Sequence, residues 1–216
     1  MQQDGAQKRF YREATPVALE TGGWGVKLDR FSVRTPAKAV LAVPTAALAE
    51  ALAQEWGAQG DAVVPATMPL TRLVNVALDR TPLTREAIVA GMAGDVHGDR
   101  TCYRTPAPAG LAARQQEAWD PVHDWVEARL GARPLTTTGL DALVQPEPLE
   151  LGFLAAAHSL DDLRLTALAS VTGIAGSAFL GLGLVERVFE AASVFAAIRI
   201  EEEWQALTIV TRTSPS

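Results

Sequence analysis

The chain has 216 residues, 48% of them apolar and 20% charged, and a net charge of 19 − 25 = −6. That is the balance of a folded globular chain, and it excludes a disordered one. An acidic chain without a basic stripe is a poor nucleic-acid binder, and a single cysteine, Cys102, excludes an internal disulfide and fits a reducing compartment.

The first residues, MQQDGAQKRFYREAT, lack the apolar core of a secretory signal. Phe10–Glu20 reads as extended, and Gly22-Gly23 marks a turn. Trp24, Val26 and Leu28 then alternate with Gly25 and Lys27. After Asp29-Arg30, Phe31 and Val33 alternate with Ser32 and Arg34, and Val40–Val43 is a fourth short strand. Period-two alternation between tight turns predicts an antiparallel meander with one buried face. Thr45 is a helix cap, and Leu48, Leu52 and Trp56 recur every four residues behind it. Ala62–Val64 is one more strand.

From Thr67 the period is helical. Thr67 caps a helix in which Leu70, Leu73, Val74, Ala77 and Leu78 form one face. Arg72, Asn75 and Asp79 share the opposite face. Thr84 caps a short helix, Arg85–Met92, and Gly94–Arg104 is irregular. Ala109–Leu130 is a long helix with Leu111, Ala118, Val122, Trp125 and Leu130 near one side. Leu135–Thr138 is a short strand, and Leu149–Ser159 a short helix. The expected fold is α+β: a small β-rich antiparallel domain over 1–66, then a larger α-helical domain over 67–216.

Thr166–Val185 holds twenty residues and no charge. A spanning helix needs roughly 20 apolar residues, so this run is either a core helix or a single membrane span. Many of its residues are small or hydroxylic, and no aromatic belt or basic loop flanks it. The core helix is preferred. Ser170, Gly173, Ser177 and Gly181 form a small-residue stripe along it, and Gly173 and Ser177 are expected to face a neighbouring helix at close range.

Chemistry-bearing motifs are sparse. No phosphate-cradling glycine loop follows a strand, and no cofactor is expected. Asp120, His123, Asp124 and Glu127 are the one local cluster of metal-ligand type; a solvated helix face explains them better than a metal-dependent enzyme does. Cys102 reads as a small buried thiol. A last helix near Glu190–Gln205 ends in Glu201-Glu202-Glu203-Trp204-Gln205, where three acids oppose the helix dipole. With Trp204 inward beside Ala197 and Ile200, Glu201 lies within about 60° of it and Glu202 points away. Glu201 then needs a partner, either Arg72 or Arg199 within the chain or a basic residue outside it.

The segments KRFYREAT, GGWGVKLD, VRTPAKA, VPTAALAEALAQEW, ATMPLTRLVNVALD, CYR, AWDPVHDW and EEEWQ follow one another in this order. Together, from Lys8 to Gln205, they resemble the assembly chaperones of F-type ATP synthase that bind the alpha subunit of the catalytic head, in their bacterial form. The resemblance implies a two-part, cofactor-free protein that is not an enzyme; the free chain is expected to be a monomer. It would hold the alpha subunit until a beta subunit replaces it. It implies the cytoplasm of a bacterium, or the mitochondrial matrix in a eukaryote. Trp56, Asn75, Asp79, Trp119, Asp120, Trp204 and the acidic run Glu201–Glu203 fall on the family's motif positions. The partner-binding candidates are therefore Glu201, Glu202, Glu203, Trp204 and Gln205, with Arg72, Asn75 and Asp79. Trp56, Trp119, Asp120, Trp125, Gly173 and Ser177 are structural candidates. Where the family continues as a polar helical tail, this chain reads ALTIVTRTSPS.

Overall fold

The computed structural model describes residues 7–213. Small antiparallel strands come first and helices after them, the α+β order expected. The chain divides into two compact units, Met1–Thr84 and Arg85–Ser216. The expected division at 66/67 would leave the helix Pro69–Asp79 with the second part, whereas it belongs to the first unit.

In the first unit, β2 (Ala14–Ala18), β3 (Trp24–Leu28) and β4 (Phe31–Ser32) form an antiparallel meander, with Pro16 opposite Val26 and Leu28 opposite Phe31. A two-residue strand, β1 (Gln7–Lys8), pairs separately with β5 (Ala62–Val63). Val26 and Leu28 are buried as the alternation requires. Phe31 is not; only Val33 of that expected face goes inside. The fourth strand reduces to two isolated bridges, Trp24 with Val43 and Arg34 with Val40. Pro36 and Pro44 bound that stretch and supply no backbone N–H. Gly23, at φ 77°, has no Cβ because one would lie 2.8 Å from the carbonyl oxygen of Val43.

Helix α1 (Ala46–Gly57) packs on β2 and β3 and buries Ala49, Leu52 and Ala53. Thr45 caps it, accepting from the Leu48 N–H at 3.3 Å. Trp56 is half-buried, with its ring edge to face against Tyr11 at 6.0 Å and its carbonyl accepting the Tyr11 hydroxyl at 2.8 Å. Helix α2 (Pro69–Asp79) is capped differently from expectation. Thr67 lies in a 3-10 turn, and the Glu55 carboxylate of α1 accepts from the N–H groups of Leu70 and Thr71 and from the Thr71 hydroxyl, each at 2.7 Å. An acid at a helix N-terminus satisfies orphan donors and suits the dipole.

Helix α3 (Thr81–His97) starts before the expected Arg85–Met92 helix and runs past it into the first residues of the segment read as irregular, Gly94–Arg104. In the second unit it is followed by a 3-10 turn, Arg100–Cys102, and by α4 (Ala109–Leu130), α5 (Glu147–Ser159) and α6 (Asp162–Ala175). Next come α7 (Ala178–Val185), α8 (Ala191–Ile198) and α9 (Ile200–Thr213). The core is built on Trp119, Val122 and Val126 of α4, Phe153 of α5, Leu165 and Leu168 of α6, and Phe179, Leu180 and Leu182 of α7. Leu135–Thr138 makes one bridge, Tyr103 with Thr137, and no strand.

The apolar run Thr166–Val185 is two helices, not one. Gly176 takes a left-handed conformation at φ 62° and ends α6, its N–H bonding the Thr172 carbonyl at 2.8 Å. Ser177 caps α7, accepting from the Leu180 N–H at 3.1 Å. Among the described residues, no helix is long and apolar enough to cross a membrane, which overturns the single-span reading. Gly173 is exposed and a Cβ there meets nothing within 4 Å, so its expected close packing fails because the stripe is broken between the two helices. Ser177 is fully buried, but as a cap.

Candidate functional site

The acidic segment lies at the start of a helix. Arg199 separates α8 from α9, so Glu201, Glu202 and Glu203 occupy the first turn of α9, where the dipole favours acids. The expected opposition between acids and dipole came from treating the two helices as one. Glu201 is held from within: the Gln115 amide donates to its Oε1 at 2.9 Å. Gln115 is fully buried in α4, and its own oxygen accepts from the Thr105 N–H at 2.8 Å. The internal partner of Glu201 is therefore neither Arg72 nor Arg199. Glu201 is nonetheless exposed, as are Glu202, Glu203 and Gln205, and Glu202 meets Arg199 at 3.4 Å.

Trp204 is half-buried and packs on the first turn of α4. A Cβ on Gly110 would lie 2.5 Å from its Cη2, and the Arg114 guanidinium stands 5.4 Å from its ring centroid. Only a residue without a side chain fits at 110 under that ring. Ala197 and Ile200 are buried as expected, but the break at Arg199 takes Trp204 to α4.

Trp119 is 1% exposed and its Nε1 donates to the Ala197 carbonyl at 3.0 Å, tying α4 to α8. Asp120, next to it, pairs with Arg104 at 3.1 Å; Arg104 also donates to the carbonyls of Thr101 and Gln115. Trp125 stacks edge to face on Phe189 at 5.3 Å. On α2 in the first unit, Arg72 is exposed, whereas Asp79 accepts from the Ala37 N–H at 2.9 Å and so holds the loop before α1. The side-chain amide oxygen of Asn75 is buried without a hydrogen-bond partner among the described residues.

The cluster Asp120, His123, Asp124 and Glu127 does not converge. His123 is 1% exposed and faces the core, while Asp124 and Glu127 pair outward with Arg133 at 2.6 and 3.0 Å. Among the described residues, no three side chains of metal-ligand type come together. This overturns the solvated-face reading of His123 and the metal site read into the four residues. His123 instead closes a buried network that sequence reasoning missed. The Asp99 carboxylate accepts from the Thr101 N–H and hydroxyl, the Ser177 hydroxyl and the Phe179 N–H at 2.7–3.0 Å. Thr101 Oγ1 gives its proton to Asp99, so His123 Nε2, 2.9 Å away, donates to Thr101. Burial, with Arg104 and Arg133 adding, pushes the His123 imidazole down to about 4 and keeps it neutral. Burial pushes the Asp99 carboxyl up against its four hydrogen bonds. Cys102 is buried, its thiol pushed up to about 12 by burial and then by Asp99, too high to act as a nucleophile.

These features meet their relatives in comparison with known proteins. The sequence profile of the ATP12 chaperone protein family matches residues 8–127. The chain belongs to the ATP12 chaperone family. That match spans more than half of the chain, and solved structures extend the likeness. Atp12 from Paracoccus denitrificans is 39% identical with a TM-score of 0.81, over 93% of this chain and 85% of that one. The Atu1473 protein of Agrobacterium tumefaciens, a candidate chaperone, is 37% identical with a TM-score of 0.84, over 93% of this chain and 75% of that one. ATP12 proteins are chaperones of ATP synthase assembly, which agrees with the resemblance read from the ordered motifs. The ATP12 fold is the α+β arrangement described above.

Proposed function

We propose that this ATP12 chaperone captures the unassembled alpha subunit of the ATP synthase catalytic head in the bacterial cytoplasm. It covers the interface that the beta subunit later takes, and so prevents aggregation through an exposed apolar surface. Release is by competition: the beta subunit displaces the chaperone, with no cofactor and no catalytic step. The family match across residues 8–127 carries this reading. Support within the chain comes from the first turn of α9, where Glu202 and Glu203 project into solvent beside the anchored Glu201 and Trp204. Arg72, on α2 of the other unit, is the outward member of its set.

Co-expression tests it. The tagged chain should retain the alpha subunit through purification, and added beta subunit should release it. Retention of beta but not alpha, or release that requires ATP hydrolysis, would refute the reading.

A further inference from the structure

The first unit exposes two aromatic rings that its own packing does not use. Phe10 is 58% and Phe31 53% exposed, and their rings meet edge to face at 6.4 Å. Polar bonds hold both in place. Asp29, in a left-handed conformation at φ 53°, turns β3 into β4, and its carboxylate accepts from the N–H groups of Arg12 and Glu13 at 3.0–3.2 Å. The turn bearing Arg30 and Phe31 is thereby fastened to the segment bearing Phe10. Arg9 pins the same segment by donating to the carbonyls of Tyr11, Arg12 and Gln59. A rigid aromatic pair in water has already lost the freedom that binding would otherwise have to remove, and large exposed apolar groups in such a setting mark interaction sites.

Charge selects the occupant. The Arg30 guanidinium lies 5.0 Å from the Phe31 ring centroid. Among the described residues, no carboxylate is within ion-pair distance of Lys8, Arg9, Arg12 or Arg30, although the chain as a whole is acidic. The geometry points to a docking patch, Phe10 and Phe31 with Arg30, for a segment of the alpha subunit that carries an apolar side chain next to a carboxylate. This rests on the alpha-subunit reading above. Aromatic and arginine side chains are the groups in which interface energy concentrates.

The test is capture of purified alpha subunit by the full-length chain and its variants. The double variant Phe10→Ser with Phe31→Ser should keep the wild-type melting temperature within a few degrees, both rings being more than half exposed. It should lose capture by about tenfold or more. Arg30→Glu should lose capture too, and Arg30→Lys should retain most of it. Should the double variant melt early, Phe31→Ser alone decides, with Phe31→Leu expected to restore binding. Wild-type capture by the double variant overturns the patch and leaves the alpha-subunit reading standing. Failure of the wild-type chain itself to capture the subunit overturns both. A wild-type dimer that the double variant converts to monomer overturns the patch in favour of self-association.

Discussion

The buried amide of Gln115 donates to the carboxylate of Glu201 at 2.9 Å, and the amide cannot turn away because its oxygen is held by the Thr105 N–H at 2.8 Å. One acid of the three is thus a fixture of the fold, and its neighbours are free to act outside it.

The two kinds of acid separate under charge reversal. Glu201→Lys leaves a buried donor facing a cation and should cost about 1–3 kcal/mol. Glu202→Lys breaks only an exposed pair with Arg199, worth at most about 1 kcal/mol, and should abolish alpha-subunit capture with little change in melting. Melting curves and a pull-down on each variant check this. Equal stability and wild-type capture in both would make the segment a plain solvated helix start.

Gly110 and Trp204 form a matched pair. Gly110→Val should push the indole off α4, at a cost of about 1–3 kcal/mol, and should red-shift the part of the tryptophan emission that comes from Trp204. An unchanged spectrum and melting temperature would contradict the packing.

Two glycines of the apolar run should respond oppositely. Gly173 is exposed in α6 with open space around it, so Gly173→Ala should stabilise by up to about 1 kcal/mol through helix propensity. Gly181 is buried, and a Cβ there would lie 2.8 Å from Thr172 Oγ1 and 3.2 Å from a Leu168 methyl. Gly181→Ala should destabilise by about 1–3 kcal/mol. Chemical denaturation of the two variants measures both signs.

Acid should weaken the fold through His123. The unfolded chain binds the imidazole proton near its ordinary 6.5 and the native state only near about 4. Between those values the unfolded state holds more protons, so stability falls as pH falls, by about 3 kcal/mol over the window. Asp99 works the other way: burial raises its carboxyl, so the native state keeps a proton that the unfolded chain releases, and its contribution is lost as pH rises through the raised value. His123→Gln removes the first effect and keeps a donor for Thr101. It should lose less stability than wild type between pH 7 and about 4.5; parallel curves would show that His123 does not titrate as its burial implies.

Local patterns were the readable part of this fold. The Gly22-Gly23 turn, the Trp24–Leu28 alternation and the Thr45 cap each encode their element within a few residues. The α6–α7 break was also legible in principle: glycine then serine is a helix stop followed by a helix start, but inside a long apolar run they look like a small-residue stripe. The break at Arg199 has no glycine or proline to mark it. Glu55 capping α2, Gln115 holding Glu201 and His123 closing on Thr101 join residues 15, 86 and 22 positions apart. A helical wheel cannot show such contacts. For His123 it misleads, since acidic neighbours on the same turn suggest water where the chain has a core.

Gly176 and Ser177 also decide which solvent this chain's most apolar stretch can occupy. With 14 and 8 residues, α6 and α7 are about 21 and 12 Å long, each short of the roughly 30 Å hydrocarbon layer. An uninterrupted helix over 162–185 would reach about 36 Å. Changing both residues to alanine would remove the left-handed stop and the hydroxyl that restarts the chain. Two small side chains therefore hold a protein interior apart from a sequence that a bilayer could accept.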